Sequence, residues 1–268
     1  MIKLRSARLP AVATAQLKTW QTEIVGTGEY PAWVAAAKSK FSQRNRADNA
    51  TFKEVREALT RACSGARRCN YCEDSVADEV EHIQPKDLYP EVVFAWDNYL
   101  YACGPCNGPK NSQFAVFLPT GELKEVTRKH NDPVVAPIKG DPVLINPRRE
   151  DATEWMMLDL RVTFLFVPIA AAGSKEFQRA KYTIELLRLN ERDYLIEARQ
   201  EAYESYRARL NEYIFERDSG ASKTQLNRLV KALQRMQHPT VWIEMKRQQQ
   251  KIPELKALFT KAPEALNW

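Results

Sequence analysis

The stretch from Cys69 to Lys110, CNYCEDSVADEVEHIQPKDLYPEVVFAWDNYLYACGPCNGPK, holds two C-x-x-C pairs, Cys69 with Cys72 and Cys103 with Cys106, separated by 30 residues. Such pairs suit one tetrahedral zinc ion better than two disulfides, because each turn points two thiolates at a common ion. Four thiolates close the coordination shell, so a zinc ion held there is structural. Between the pairs stands Glu81-His82, in a chain that has three histidines. EVEHI reads as a short strand and NYLYA as a second, and PCNGPK starts a turn toward Phe114 and Phe117. The expectation is two short strands followed by a helix.

On the N-terminal side, AVATAQLKTWQTEIV and TFKEVREALTRAC carry apolar residues at three- and four-residue spacings and predict helices, the second ended by Gly65. PAWVAAAKSKFSQRNR predicts another helix, with a basic end at Lys38, Lys40, Arg44 and Arg46 that reads as a solvated face rather than a phosphate contact. On the C-terminal side, residues 120 to 147 are rich in Pro and Gly and read as a linker; MMLDL and VTFLFV read as a β-ribbon. Helices resume at Ser174. Tyr194, Leu195, Ala198, Ala202, Tyr206, Leu210 and Tyr213 form a stripe on one long helix that Ser219-Gly220 ends and Asn190 caps. Ser222 and Gln225 have capping-box spacing for the next helix, with Pro239 beyond it. The chain thus divides into an N-terminal helical segment (1–65), a zinc-supported core (66–120), a linker with β-ribbon (121–172) and a C-terminal helical region (173–268). The fold class is α+β.

At 268 residues and 44% hydrophobic content the chain can bury a proper core. No apolar run is long enough for a bilayer, and MIKLRSARLP lacks a following apolar stretch of signal-peptide type, so a cytoplasmic protein with no membrane association is expected. The net charge of +6 is unevenly placed: residues 1 to 72 have 13 Lys/Arg against 5 Asp/Glu, and residues 73 to 110 have 2 against 8. An acidic segment inside a basic chain suits a cation site framed by surfaces that attract polyanions, although charge alone favours solvated helix faces. Cys63 reads as a small buried apolar residue. His130 and His238 have no acidic or cysteine company and read as surface or capping residues, and Phe94 and Trp96 as a wedge between the zinc module and the helical core.

Glu81-His82, then Asn98 sixteen residues on, then Cys106-Asn107 and Lys110, resemble the HNH endonuclease motif. C-x-Y-C-E, E-H-I-x-P-K, F-x-W-x-N-Y-L and C-x-x-C-N-x-x-K are similar to the PtuB-type HNH nucleases of Septu antiphage systems and some retrons. INPRRED and TIELLRLNERDYLIEAR resemble that family's downstream region less closely. The resemblance implies a ββα-metal core braced by the four-cysteine zinc site, with His82 as general base, Glu81 and Asn107 as ligands of one catalytic Mg²⁺ or Mn²⁺, and Asn98 as a positioning amide. It makes Lys86 and Lys110 candidate phosphate contacts on DNA, and it implies an ATPase partner of PtuA type; the region from Ser174 to Trp268, which nuclease chemistry does not need, is the expected docking part, its apolar stripes reading equally as an intramolecular core. Glu81 stands where Asp is commoner, so a water-mediated contact to the cation is as open as direct ligation. Set against this reading are a zinc-dependent module that grips nucleic acid without cutting it, and an adaptor with a degenerate HNH core.

Overall fold

Two short antiparallel strands, β1 (Glu79–His82) and β2 (Tyr99–Ala102), lie at the centre of the computed structural model, which describes residues 1–268. Their register pairs Glu79 with Ala102, Val80 with Tyr101, Glu81 with Leu100 and His82 with Tyr99. Side chains alternate across a strand, so Val80, His82, Tyr99 and Tyr101 share one face and Glu79, Glu81, Leu100 and Ala102 the other. Both faces are covered. Val80, Tyr99 and Tyr101 join one hydrophobic cluster, and Leu100 and Ala102 join another. A seven-residue helix, α4 (Gly104–Lys110), follows β2 and carries Cys106, Asn107 and Lys110. It is numbered after the three helices of the N-terminal body.

Those three are α1 (Ala11–Val25), α2 (Tyr30–Arg44) and α3 (Ala50–Ala62). Asn49 caps α3, its side chain accepting from the Phe52 amide at 3.1 Å, a contact worth about 1 kcal/mol. Trp20, Phe41, Phe52 and Phe94 interlock beneath the strands, with Trp20 and Phe94 ring centres 5.4 Å apart. Phe94 therefore wedges the strand pair against the N-terminal helices, whereas Trp96 lies half-buried under Arg148, 4.4 Å from its guanidinium carbon. The helix that Gly65 was expected to end already stops at Ala62. Gly65 instead makes a close backbone approach: its φ is +77°, and a Cβ there would sit 2.3 Å from the Arg235 carbonyl oxygen, so only glycine allows the two backbones to touch.

The expected linker is in part a sheet. β3 (Phe114–Phe117) lies between β4 (Leu123–Val126) and β5 (Asp141–Pro142), and β3 is fully buried. β6 (Met156–Leu158) and β7 (Phe166–Pro168) form the anticipated ribbon. Five helices complete the chain: α5 (Lys175–Leu186), α6 (Asp193–Asp218), α7 (Lys223–Gln234), α8 (Pro239–Gln248) and α9 (Pro253–Lys261). Asn190 does not cap α6, whose first turn has no side-chain cap; its amide instead pairs with the backbone N and O of Phe166, both at 2.8 Å. Ser222 caps α7 through the Gln225 amide, but the Gln225 side chain turns to Glu216 rather than closing the box.

The α6 stripe faces inward except at its start, where Tyr194 is exposed. Leu195, Ala202, Tyr206, Leu210 and Tyr213 belong to a cluster of 42 buried residues that also takes in Cys69, Cys72, Cys103 and Cys106. The zinc segment and the C-terminal helices therefore share one core, and these apolar residues are not a free docking face. His238, expected at the surface or as a cap, is buried and stands at the N-cap position of α8 at φ +53°, without a side-chain cap bond; its Nε2 lies 3.3 Å from Asp74 Oδ1, which ties the loop after Cys72 to the start of α8. His130 is exposed, and Cys63 is buried. No helix is long and apolar enough to cross a membrane.

Candidate functional site

The four cysteines converge. Cys69 and Cys72 sit on a tight turn before β1, closed by the Glu73 amide donating to the Cys69 carbonyl at 3.0 Å, while Cys103 and Cys106 bracket the start of α4. All four Sγ atoms lie within 4.8 Å of one another, with Cys72 and Cys103 3.8 Å apart. Thiolates about 2.3 Å from a tetrahedral zinc ion have sulfur–sulfur edges of about 3.8 Å, so the group can hold a metal such as zinc. Burial pushes the Cys69 thiol well above its ordinary range, while hydrogen bonding from Cys103 holds Cys72 well below it. A divalent cation lets all four ionise together. The Arg192 guanidinium, at the start of α6, lies 3.4 Å from Cys106 Sγ and adds positive charge to that cluster.

Beside it opens a cleft of about 500 Å³ between β1, the end of α2 and α4. His82, Glu81, Asn107 and Lys86 line it. His82 is buried against Phe41 and Tyr99, with ring centres 4.4 and 5.3 Å away. Its Nε2 is 2.9 Å from the Val93 carbonyl oxygen, which can only accept, so Nε2 carries the proton and Nδ1 is left with the lone pair and no protein partner. Burial, then the charge of Lys86, lowers the His82 pKa to about 3, so the ring is neutral at neutral pH. Asn107 Nδ2 donates to Glu79 Oε2 at 2.5 Å, which leaves its Oδ1 without a protein partner.

Glu79 was not singled out from the sequence. It stands two residues before Glu81 on the same face of β1, and strand alternation was the signal that could have found it. With Asp78, Glu81 and Asp87 it makes the cleft rich in carboxylates. Hard oxygen donors of this kind fit Mg²⁺ or Mn²⁺, and they would repel a phosphodiester unless a cation intervened.

Asn98 lies outside the cleft. Its Oδ1 accepts from the Gln84 amide at 2.8 Å, and its Nδ2 donates to the Gln84 and Val92 carbonyls at 3.0 and 3.2 Å, fixing the chain on both sides of the imidazole's anchor. Lys110 is fully buried: its ammonium lies 2.5 Å from Glu81 Oε1 and donates to the His82 carbonyl at 2.8 Å. It cannot reach a phosphate, and the expected contact is corrected to an internal ion pair. Burial raises the Glu81 pKa, opposed by Lys110. Lys86 is the cation that faces the cleft, its Nζ 5.8 Å above the Phe41 ring. The basic end of α2 is consumed by ion pairs: Lys40 and Arg44 with Glu23, and Lys38 with Asp87.

No protein-family model and no solved structure matches the chain. A stretch of 50 residues is 46% identical to the Septu protein PtuB of Bacillus thuringiensis, covering 17% of this chain and 20% of that protein. The chain is thus a partial homologue of PtuB, matching about a fifth of that relative's length, and it carries a four-cysteine cluster able to hold a metal.

Proposed function

We propose that this protein is a metal-dependent HNH endonuclease that hydrolyses DNA phosphodiester bonds, with β1, β2 and α4 as its ββα-metal core. The observation that carries the reading is the pair of open acceptors in one cleft, Nδ1 of His82 and Oδ1 of Asn107, each fixed from behind by a hydrogen bond. Glu79, Glu81 and Asn107 would hold a divalent cation, which when bound supplies Lewis-acid stabilisation of phosphate and leaving-group charge. His82, neutral and held in one tautomer, takes the proton of the attacking water at Nδ1. The Val93 carbonyl orients the ring, and Asn98 holds the segments that carry that carbonyl. Lys86 gives the entering phosphate its local positive charge. The zinc site braces the end of the strand pair where Glu79 faces Ala102 and takes no part in the chemistry. Incubation of the zinc-loaded chain with plasmid DNA and Mg²⁺ or Mn²⁺ tests the reading: nicking that His82→Ala abolishes is expected, and absence of cleavage with every divalent cation refutes it.

The likeness to PtuB supports placement in an antiphage system of Septu type, with an ATPase partner of PtuA type. Co-expression with a neighbouring ATPase, followed by co-purification, checks that placement separately. The internal Glu81–Lys110 pair favours one alternative, a degenerate core that binds nucleic acid without cutting it, because a carboxylate neutralised by lysine is a poorer cation ligand. Salt-sensitive binding with no cleavage would select it.

A further inference from the structure

Away from the cleft, a groove of about 650 Å³ shares no lining residue with it and is walled by Lys3, Arg5, Arg8, Arg148 and Arg149, with Asp97 its one acidic residue. The Leu4 amide donates to the Pro147 carbonyl at 2.7 Å, which lays the N-terminal segment alongside the INPRRED loop and brings the two basic runs together. Arg148 stacks on Trp96 and donates to the Tyr99 carbonyl at 2.9 Å, so the groove is tied to the strand position paired with His82. Arg61 of α3 reaches the Arg8 carbonyl at 3.5 Å and lines a second groove with Arg56 and Arg67. Through that contact Arg61 joins the two grooves into a basic belt, with Glu57 the acidic residue of the second.

The belt gathers unspent charge in one place. Lys3, Arg5, Arg8, Arg56, Arg61, Arg67 and Arg149 form no salt bridge, whereas the cations of α2 are paired with carboxylates. Exposed cations crowded in a groove repel one another, an arrangement relieved when a polyanion displaces their counterions.

We infer that this belt is a track for the phosphodiester backbone of duplex DNA, holding the substrate beyond the few base pairs the cleft can touch. Affinity therefore depends on residues that take no part in cleavage. The inference rests on the nuclease reading for its substrate class, but its test does not need cleavage.

Binding of a fluorescent duplex to the zinc-loaded chain is measured by anisotropy, without added divalent cations, across a salt series. The variant Arg5→Gln/Arg61→Gln/Arg149→Gln is compared with Lys251→Gln/Lys256→Gln/Lys261→Gln at the C-terminal end, both checked for an unchanged circular dichroism spectrum and zinc content. Loss of three phosphate contacts should lower the slope of log K against log salt by about 2.7 and weaken binding by about 500-fold at 0.1 M salt, whereas the C-terminal variant should bind as wild type. Equal losses in both variants, unchanged binding in the belt variant, tighter binding to an RNA duplex of the same sequence, or displacement by polyglutamate at equal charge would each overturn the inference. Should no cation support cleavage while the belt variant loses binding as stated, the nuclease reading falls and the belt stands.

Discussion

At the scale of single residues, the Glu81–Lys110 pair is the sharpest feature, since both side chains are buried and neither forms a second salt bridge. Lys110→Met should destabilise the protein by about 3–5 kcal/mol in urea unfolding, because a buried carboxylate loses its compensation, and adding Glu81→Leu should restore most of that loss. Equal destabilisation by the single and double variants would show that the ion pair is not what the site depends on. His82→Ala should lower cleavage by about two to four orders of magnitude while zinc content stays at one ion per chain. The types and spacing of His82, Glu81, Asn107 and the cysteines were legible in the sequence because their chemistry is bound to short motifs. The destination of Lys110 was not, since nothing in C-N-G-P-K tells whether a lysine's ammonium points to solvent or folds back on a neighbouring strand. Nor did the motif reveal Glu79, whose place on the cleft face is set by β1 pairing.

At the scale of elements, the loop from Ile145 to Asp151 is anchored at both flanks. Arg179 of α5 grips Glu150 through two contacts of 2.7 Å and also donates to the Val143 carbonyl at 3.2 Å. Burial alone would raise the Glu150 pKa; the Arg179 guanidinium and the Asn146 amide more than offset it and hold the carboxyl below its usual range. A lowered folded-state pKa contributes stability above the unfolded value near 4.3, and that contribution is lost as pH falls through the folded value. Glu150→Gln should therefore cost about 1–3 kcal/mol at pH 7 and flatten the decline in stability below about pH 4. Denaturant midpoints for the two proteins that stay parallel down to pH 3 would contradict this. The helices were readable from apolar spacing, and the β6–β7 ribbon from its β-branched and aromatic residues. The sheet of β3, β4 and β5 was hidden because β4 and β5 lie inside the Pro- and Gly-rich stretch that reads as a linker, and β5 is only two residues long, Asp141-Pro142.

At the scale of the whole molecule, the 42-residue cluster binds the zinc cysteines to residues as distant as Leu258 and Ala265. Removal of zinc by a strong chelator should lower the melting temperature of the entire chain in one transition, since metal binding energy appears as folding energy. A zinc-free protein with native near-ultraviolet circular dichroism would contradict this. Truncation near Gly173 should give no folded product, because it strips the apolar partners of Leu100, Ala102 and the cysteines. A shared core of this kind also has a consequence during synthesis. Cys106 leaves the ribosome roughly 10–30 s before Ala265 at ordinary elongation rates, and throughout that interval the strands that carry His82 lack the surface they must close upon. On the proposed nuclease reading, the nascent chain is thus unarmed until the C-terminal helices have emerged and packed against the four-cysteine segment.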